Sequence, residues 1–232
     1  MQAFKQKLRD RHTVSLINAD HSCAGLVDFV CRLGIDAIML DCEQGNPSFV
    51  DVEDMARAAA LHGVSSIVRI PSVEPWTIER YMMRRIDGVV IPRLDTAAQA
   101  EKAIADIRYA VPADFPDKTI IVQVESVSAA RDLDNFLSIP EVDCFFIGAV
   151  DLAKSMGFSG NYGHPDVVAE LDRIIARIVA KGRSVGFMVK ENDMKSWQDK
   201  GASMLYAHVN DFLHMGARQW RSLAGFAAEH KS

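Results

Sequence analysis

Residues 119–151 read TIIVQVESVSAARDLDNFLSIPEVDCFFIGAVD, and they contain two short apolar runs that each lead to an acidic residue. Ile120–Val124 stops at Glu125, and Cys144–Ile147 is followed one short turn later by Asp151. Apolar runs of this length between polar segments are typical of buried parallel strands. Parallel α/β folds place their chemistry at the carboxyl ends of such strands, so the two acids are candidates for one shared site.

The same alternation of strand and helix extends outward from this stretch over the whole chain. Further strands are predicted at Val14–Ile17, Ala37–Leu40, Ser66–Ile70, Gly88–Ile91, Val185–Val189 and Met204–Val209. Eight alternations without a linker or a shift in composition predict an α/β fold, a closed (β/α)8 TIM barrel that forms a single domain over residues 1–232. An open dinucleotide-binding sheet would need a glycine-rich turn after the first strand, and NADHSCAG is not one.

Helical spacing and end signals predict the elements between these strands. A short helix over residues 3–12 is expected to close one end of the barrel, and another helix is predicted over Ser128–Leu137. Residues 149–166, AVDLAKSMGFSGNYGHPD, are predicted to form a long loop with a single helical turn, and long ordered loops are usually functional. The last helix is predicted over Asp211–Ala228.

Charge, cysteine content and hydropathy exclude several functional classes. The net charge of -5 leaves no basic surplus to neutralise phosphates, so a nucleic-acid partner is not expected. The four cysteines form no CxxC pair, which argues against a zinc site or disulfide framework and favours the cytoplasm. The amino-terminal residues lack the apolar segment of a signal peptide, and no run has membrane-spanning length, so no membrane partner is expected.

Charged residues at the predicted strand ends are the candidates for chemistry. Taken singly, a strand-end acid more often caps a helix or faces solvent than binds a ligand. Glu125 and Asp151 together are different, because two carboxylates from nearby strands can share one hard divalent cation. Arg69 within the third strand must find an anion to offset its desolvation. That anion is a structural acid such as Glu43 or a substrate oxygen, and both can be true at once.

Several motifs in this sequence resemble those of a known family. VQVES followed by VDCFFIGAVDLAKSMGFSGNYGHPDV is similar to VQIET and VDGVFIGPADLSxxMGxxGxxxHPEV. These are signatures of the HpcH/HpaI aldolase/citrate lyase family of metal-dependent pyruvate aldolases, in the phosphoenolpyruvate/pyruvate barrel superfamily. IDAIMLDCEQGNP is similar to the family's FDWLLIDxEHxPN, and SIVRIP to its VVRxP. The resemblance covers nearly the whole chain.

The resemblance implies roles for the candidate residues. Glu125 and Asp151 would bind a divalent metal ion, Mg²⁺ in the first place, with Mn²⁺ or Co²⁺ as alternatives. Arg69 would stabilise the oxygen that becomes negative in the enolate. The backbone of the turn after strand six would help to seat the substrate carboxylate, and this turn consists of Gly148, Ala149, Val150 and Asp151.

The implied function is that of a divalent-metal-dependent carbon–carbon lyase of the aldehyde-lyase type. It would cleave or form a hydroxy-2-oxo acid through a pyruvate enolate. The partners would be a small 2-oxo acid, pyruvate or oxaloacetate, and an aldehyde or acyl co-substrate. Asp41 and Glu43 would orient water and Arg69.

One departure from the family pattern concerns the catalytic base. Asp41 and Glu43 are kept, but the family's base histidine is replaced by Gln44, which cannot cycle a proton near neutral pH. Another base could take over, and His21 and His208 lie at strand ends, although a purely structural role is favoured for each. Alternatively, the chain performs citrate lyase- or synthase-like chemistry on an acyl thioester, or it is a non-catalytic keto-acid-binding barrel.

Two further segments bear on assembly. VPADFPDK, residues 111–118, replaces a longer insert that covers the site in the family, so the site should be more open or covered by a neighbouring subunit. The family commonly assembles through its carboxyl-terminal helices, which implies a homo-oligomer. The last helix here has the apolar side chains for that role, although it could equally pack onto its own barrel; they are Phe212, Leu213, Met215, Trp220, Leu223 and Phe226.

Overall fold

Eight parallel strands form a closed barrel in the computed structural model, which describes residues 3–226. Each strand pairs with the next along the chain, and the first strand also pairs with the eighth. The strands are Val14–Asn18 (β1), Ala37–Asp41 (β2), Ser65–Arg69 (β3), Gly88–Ile91 (β4), Thr119–Val124 (β5), Cys144–Ile147 (β6), Val185–Met188 (β7) and Ala202–His208 (β8). The predicted (β/α)8 barrel is therefore confirmed.

The helices surround the barrel and return the chain to the start of the next strand. They are Ala3–Arg9 (α1), Ala24–Cys31 (α2), Phe49–Ala60 (α3), Pro75–Met82 (α4), Ala97–Ala110 (α5), Val127–Arg131 (α6), Leu133–Leu137 (α7), Ala149–Ser155 (α8), Pro165–Ala180 (α9), Met194–Asp199 (α10) and Val209–Leu223 (α11). A short 3-10 helix, Phe115–Asp117, lies in the segment before β5. Among the described residues, no helix is both long and apolar enough to cross a membrane.

Two apolar clusters separate the inside of the barrel from its outside. Along β5, Ile120, Val122 and Val124 belong to the outer cluster beneath the helices, whereas Ile121 belongs to the inner one. This alternation follows from the two-residue period of a strand. It decides which strand-end side chains point into the mouth of the barrel.

Helix α1 closes the amino-terminal end of the barrel, as predicted. Phe4 and Leu8 are buried and belong to the inner cluster together with strand residues such as Val14 and Leu16. The opposite end, where the strands finish, is left for polar side chains.

Two of the local predictions were wrong. The helix predicted over Ser128–Leu137 is divided into α6 and α7 at Asp132, whose carboxylate accepts the backbone N–H of Ala97 at 2.6 Å. The segment after β6 is not a loop with a single turn but begins with the seven-residue helix α8. Ala149, Leu152 and Ala153 are buried on one face of α8, because residues three and four apart lie on the same side of a helix.

The last helix begins two residues earlier than predicted and ends at Leu223. The predicted end of that helix, at Ala228, lies outside the described residues. Only Val209 is buried among the fifteen residues of α11, so this helix contributes little to the core of its own barrel.

Candidate active site at the barrel mouth

The side chains at the barrel mouth belong to strand positions that face inward. Five residues of the inner cluster are each followed, two positions later, by a residue of the mouth: Met39 by Asp41, Ile67 by Arg69, Ile121 by Gln123, Phe146 by Gly148, and Tyr206 by His208. Because successive side chains of a strand alternate, these residues also face the barrel axis.

Arg69 and Asp41 form a two-pronged ion pair at the ends of neighbouring strands. Nε and Nη2 of Arg69 donate to the two carboxylate oxygens of Asp41 at 2.9 and 2.6 Å. Burial by itself would lower the pKa of Arg69 and raise that of Asp41. The hydrogen bonds and charges of the pair shift both pKa values the other way, so both groups stay ionised.

Glu43 lies between two arginines. Its Oε2 is 3.3 Å from Nε of Arg69, and its Oε1 accepts from Nε of Arg93 at 2.5 Å. The Arg69 and Glu43 side chains are 13% and 6% exposed, whereas that of Arg93 is 67% exposed. The sequence predicted that Arg69 pairs with a structural acid, a substrate oxygen or both. The structure shows two acid partners, Asp41 and Glu43.

Glu125 is buried at the end of β5 and accepts two hydrogen bonds. Its Oε1 accepts the backbone N–H of Arg93 at 2.6 Å, and Oε2 accepts the side-chain amide of Gln123. Burial raises the pKa of Glu125, the nearby negative charges of Glu43 and Asp151 add to the rise, and the Arg93 N–H opposes it.

Gly148 provides the space in which Glu125 lies. A Cβ atom at this position would be 2.6 Å from the Cβ of Glu125 and 2.8 Å from its Oε2. Any side chain at position 148 would therefore displace the carboxylate. The glycine at the end of β6 is required by this close approach.

Asp151 is in the first turn of α8, and its side chain is 47% exposed. Nζ of Lys154 contacts one of its carboxylate oxygens at 2.9 Å. An exposed pair of this kind contributes little free energy, so it does not prevent the carboxylate from binding a cation.

Two cavities open at the mouth and meet at Asp151. One, of about 230 Å³, is lined by Glu43, Arg93, Leu94, Asp95, Glu125, Ser126 and Asp151. The other, of about 310 Å³, is lined by residues that include Asp41, Gln44, Arg69, Gln123, Gly148, Ala149, Val150, Asp151, Tyr206 and His208. The predicted site residues therefore lie around one composite opening.

The composition of the smaller cavity fits a hard cation. Four carboxylates and a single guanidinium line it, and oxygen atoms are the ligands that Mg²⁺, Mn²⁺ and Ca²⁺ prefer. Within residues 3–226, however, no group of three or more His, Cys, Asp or Glu side chains is arranged to hold a metal ion. Two carboxylates alone would hold such an ion only if water and substrate supplied the remaining ligands.

The residues discussed as replacements for the family's base occupy different places. Gln44 is exposed and lines the larger cavity, and its backbone N–H donates to Asp41 at 3.2 Å. His21 is exposed and contacts the side-chain oxygen of Asn210 at 2.9 Å. His208 also lines the larger cavity, and its Nδ1 is 2.6 Å from Oδ1 of Asp20.

Gln123 and Tyr206 are mouth residues that were missed at the level of sequence. Both are buried and line the larger cavity. The side-chain oxygen of Gln123 has no hydrogen-bond partner among the described residues, and burial raises the pKa of Tyr206, which therefore stays a neutral phenol. Counting back in steps of two from the strand-end acids would have identified Gln123.

Comparisons with known proteins agree on one family. A family model described as HpcH/HpaI aldolase/citrate lyase matches residues 19–214. A hydroxypyruvate/pyruvate aldolase of Agrobacterium fabrum strain C58 is 30% identical over 207 residues, which cover 78% of this chain and 78% of the relative. A 2-keto-3-deoxy-L-rhamnonate aldolase of Escherichia coli K12 is 26% identical over 245 aligned positions, covering 94% of this chain and 91% of the relative.

The comparison with solved structures shows the same fold. A crystal structure of an HpcH/HpaI aldolase/citrate lyase family protein from Burkholderia cenocepacia J2315 superimposes with a TM-score of 0.87. Its sequence identity is 22%, and the match covers 97% of this chain and 99% of that one. The predictions of the family and of an aldolase-type lyase are confirmed. The chain belongs to the HpcH/HpaI aldolase/citrate lyase family.

Proposed function

We propose that this chain cleaves or forms a 4-hydroxy-2-oxo acid through a pyruvate enolate, with Glu125 and Asp151 as the ligands of a divalent metal ion. The observation that carries the proposal is the position of these two carboxylates. They line one acidic cavity, next to a second cavity that contains Arg69 and Gly148. A buried carboxylate whose pKa is raised by its surroundings is a typical feature of functional sites.

Arg69 would stabilise the negative charge that develops on the keto oxygen. Its guanidinium is held by both oxygens of Asp41, so little reorganisation is needed when the charge appears. Asp41 and Glu43 would therefore act by positioning Arg69. The backbone of Gly148, Ala149 and Val150, which lines the same cavity as Arg69, would seat the substrate carboxylate.

The metal ion would contribute Lewis-acid polarisation of the keto group. We favour Mg²⁺, with Mn²⁺ or Co²⁺ as alternatives, because Glu125 and Asp151 offer only oxygen ligands. Glu125 is fixed by the N–H of Arg93 and the amide of Gln123, whereas Asp151 is half-exposed and can adjust to the ion.

Exchange of the pyruvate methyl protons with deuterium tests the proposed function. We expect NMR to show exchange when Mg²⁺, Mn²⁺ or Co²⁺ is added to the full chain, and we expect EDTA to stop it, because enolate formation makes these protons labile. Metal-dependent binding of pyruvate without exchange would instead support the keto-acid-binding barrel. Exchange that persists in EDTA would contradict the role of the metal.

We also propose that the chain forms a homo-oligomer through α11 in the cytoplasm. This helix leaves Leu213, Trp220 and Leu223 exposed, at 57%, 63% and 82%. Apolar surface of this extent on one element is typical of an interface. The cysteines Cys23, Cys31, Cys42 and Cys144 are all free thiols, as is usual in a reducing compartment.

A further inference from the structure

A histidine–carboxylate pair lies at the barrel mouth, and the site described above does not use it. His208 is the last residue of β8, two positions after the inward-facing Tyr206, and it opposes Asn18 in the pairing of β8 with β1. It therefore faces the barrel axis. The same side chain lines the cavity that contains Arg69 and Gly148 and a neighbouring cavity of about 240 Å³, so it stands between the two.

Asp20 fixes the orientation of the His208 ring. Its Oδ1 is 2.6 Å from Nδ1 of His208, and its Oδ2 accepts the backbone N–H of Asn210 at 2.8 Å. The Asp20 side chain is only 9% exposed. A carboxylate beside Nδ1 favours the tautomer that carries its proton there, so Nε2 is left as the basic atom. No hydrogen bond to Nε2 occurs within residues 3–226.

The backbone at Asp20 is held in a conformation that side chains seldom adopt. Its φ is +57°, in the left-handed region, and its N–H donates to the side-chain oxygen of Asn18 at 3.1 Å. Aspartate tolerates this region better than most residues, but the conformation still needs support from its surroundings. Here that support places the carboxylate against His208.

We propose that His208 is the acid–base group of the aldol step and that Asp20 is its positioning residue. The inference rests on the proposed function. In the cleavage direction, Nε2 takes the proton of the hydroxyl group on carbon 4, the bond between carbons 3 and 4 breaks, and the aldehyde carbonyl forms. The electron pair of that bond remains on the pyruvate enolate. The proton then passes from the imidazolium to carbon 3, directly or through a water molecule, which gives pyruvate, so no oxidant or reductant is needed.

This assignment accounts for the absence of the family's base histidine. Gln44 occupies that position and lines both of the cavities that His208 lines. A glutamine there can donate a hydrogen bond to a substrate oxygen, but it cannot accept and return a proton. His208 approaches the same space from β8, which is separated from β2 only by β1.

Several charged groups lie close to His208. Asp20 contacts the ring directly, and the ring of Tyr206 meets it edge-on at 5.1 Å between centroids. Asp211 accepts the backbone N–H of His208 and pairs with Lys190. Arg69, Asp41, Asp151 and Lys154 line the shared cavity. The test compares cleavage with decarboxylation, so that an effect on His208 can be separated from an effect on these groups.

The test compares two reactions of the full chain loaded with Mn²⁺. Oxaloacetate decarboxylation forms the enolate by loss of CO₂ and removes no hydroxyl proton. Cleavage of a 4-hydroxy-2-oxo acid, to pyruvate and either acetaldehyde or glycolaldehyde, requires the base. His208→Gln should lower kcat for cleavage by about 10²–10⁴-fold and leave decarboxylation near the wild-type rate.

Two further variants sharpen the comparison. Asp20→Asn should lower kcat for cleavage with little change in KM, because an amide NH₂ beside Nδ1 favours the tautomer with its proton on Nε2. His62→Gln is the matched control, since His62 forms a 2.8 Å contact with Asp28 away from the mouth. This control should retain both activities.

Each outcome that contradicts these expectations overturns either the role of His208 or the proposed function. Unchanged cleavage in His208→Gln, or an equal loss of both reactions, would overturn the inference and leave the proposed function standing. Decarboxylation by the wild type without cleavage of either substrate would also overturn it. A wild type that carries out neither reaction with any of the three metals would overturn the proposed function itself.

The variant Gln44→His distinguishes a site in which His208 is the base from a site that has no base. If His208 supplies the base, adding a histidine at position 44 should not raise kcat for cleavage above the wild-type value. A gain approaching the 10²-fold that a proton shuttle contributes would show that the wild-type site lacks a base, and it would overturn the role of His208.

Discussion

Glu125→Gln is expected to lower kcat/KM for metal-dependent enolate formation by about 10³-fold or more. Loss of Lewis-acid polarisation is worth several kcal/mol, and each 1.36 kcal/mol corresponds to a tenfold change in rate. The amide keeps the size of the side chain but removes the charge that would bind the cation. Glu141→Gln is the control, because Glu141 contacts Arg108 away from the mouth and should leave kcat/KM unchanged.

The fold should survive this substitution. The new amide oxygen can still accept the N–H of Arg93. The side-chain oxygen of Gln123 has no partner among the described residues. If Gln123 reverses its own amide, this oxygen can accept a hydrogen bond from the new NH₂ group. The variant also avoids burying a charge. Burial raises the pKa of Glu125, so the free energy this carboxyl contributes to folding is most favourable below its unfolded-state pKa. That contribution is lost as pH rises through the folded value.

Thermal unfolding provides a readout that does not depend on activity. Without metal, the Tm of Glu125→Gln should equal or exceed that of the wild type, and the difference should grow as pH rises. Added Mn²⁺ should raise the Tm of the wild type and of Glu141→Gln, since a ligand that binds only the folded state stabilises it. The same rise in Glu125→Gln would show that the ion binds elsewhere.

The barrel could be predicted from the sequence because its signals are local and repeated. Each strand is a short apolar run, and the eight runs share one alternation with helices. The polar ends of those runs also identified Asp41, Arg69, Glu125 and Asp151 as neighbours.

The missed features depend on contacts between residues that are far apart in the chain. Asp132 divides a predicted helix because its carboxylate reaches the backbone of Ala97, and nothing in the local spacing indicates this contact. Asp20 and His208 are 188 positions apart, and they meet only because β1 pairs with β8 when the barrel closes. A strand-end histidine considered alone fitted a structural role better than a catalytic one.

Arg69→Lys should lower kcat for enolate formation by about 10²–10³-fold, the usual cost of removing a preorganised donor to a developing oxyanion. Lysine keeps the positive charge and can still pair with Asp41. It lacks the planar fork that engages both oxygens of Asp41 at the edge of the cavity. The loss should therefore appear mainly in kcat rather than in KM, as steady-state kinetics with pyruvate or oxaloacetate would show.

Removing the charge at position 69 should destabilise the chain as well. In Arg69→Met, Asp41 would keep its backbone contacts but lose its ionic partner while its side chain is 10% exposed, and breaking such a pair costs about 3–5 kcal/mol. Arg183→Lys is the control. Arg183 is a part-buried arginine that donates to the carbonyl oxygens of Leu137 and Ile139, before β7 begins at the closed end of the barrel. Arg183→Lys should lose stability without losing activity, whereas Arg69→Lys should lose activity with a smaller loss of stability. Equal activity in the two lysine variants would show that Arg69 has no role in the mechanism.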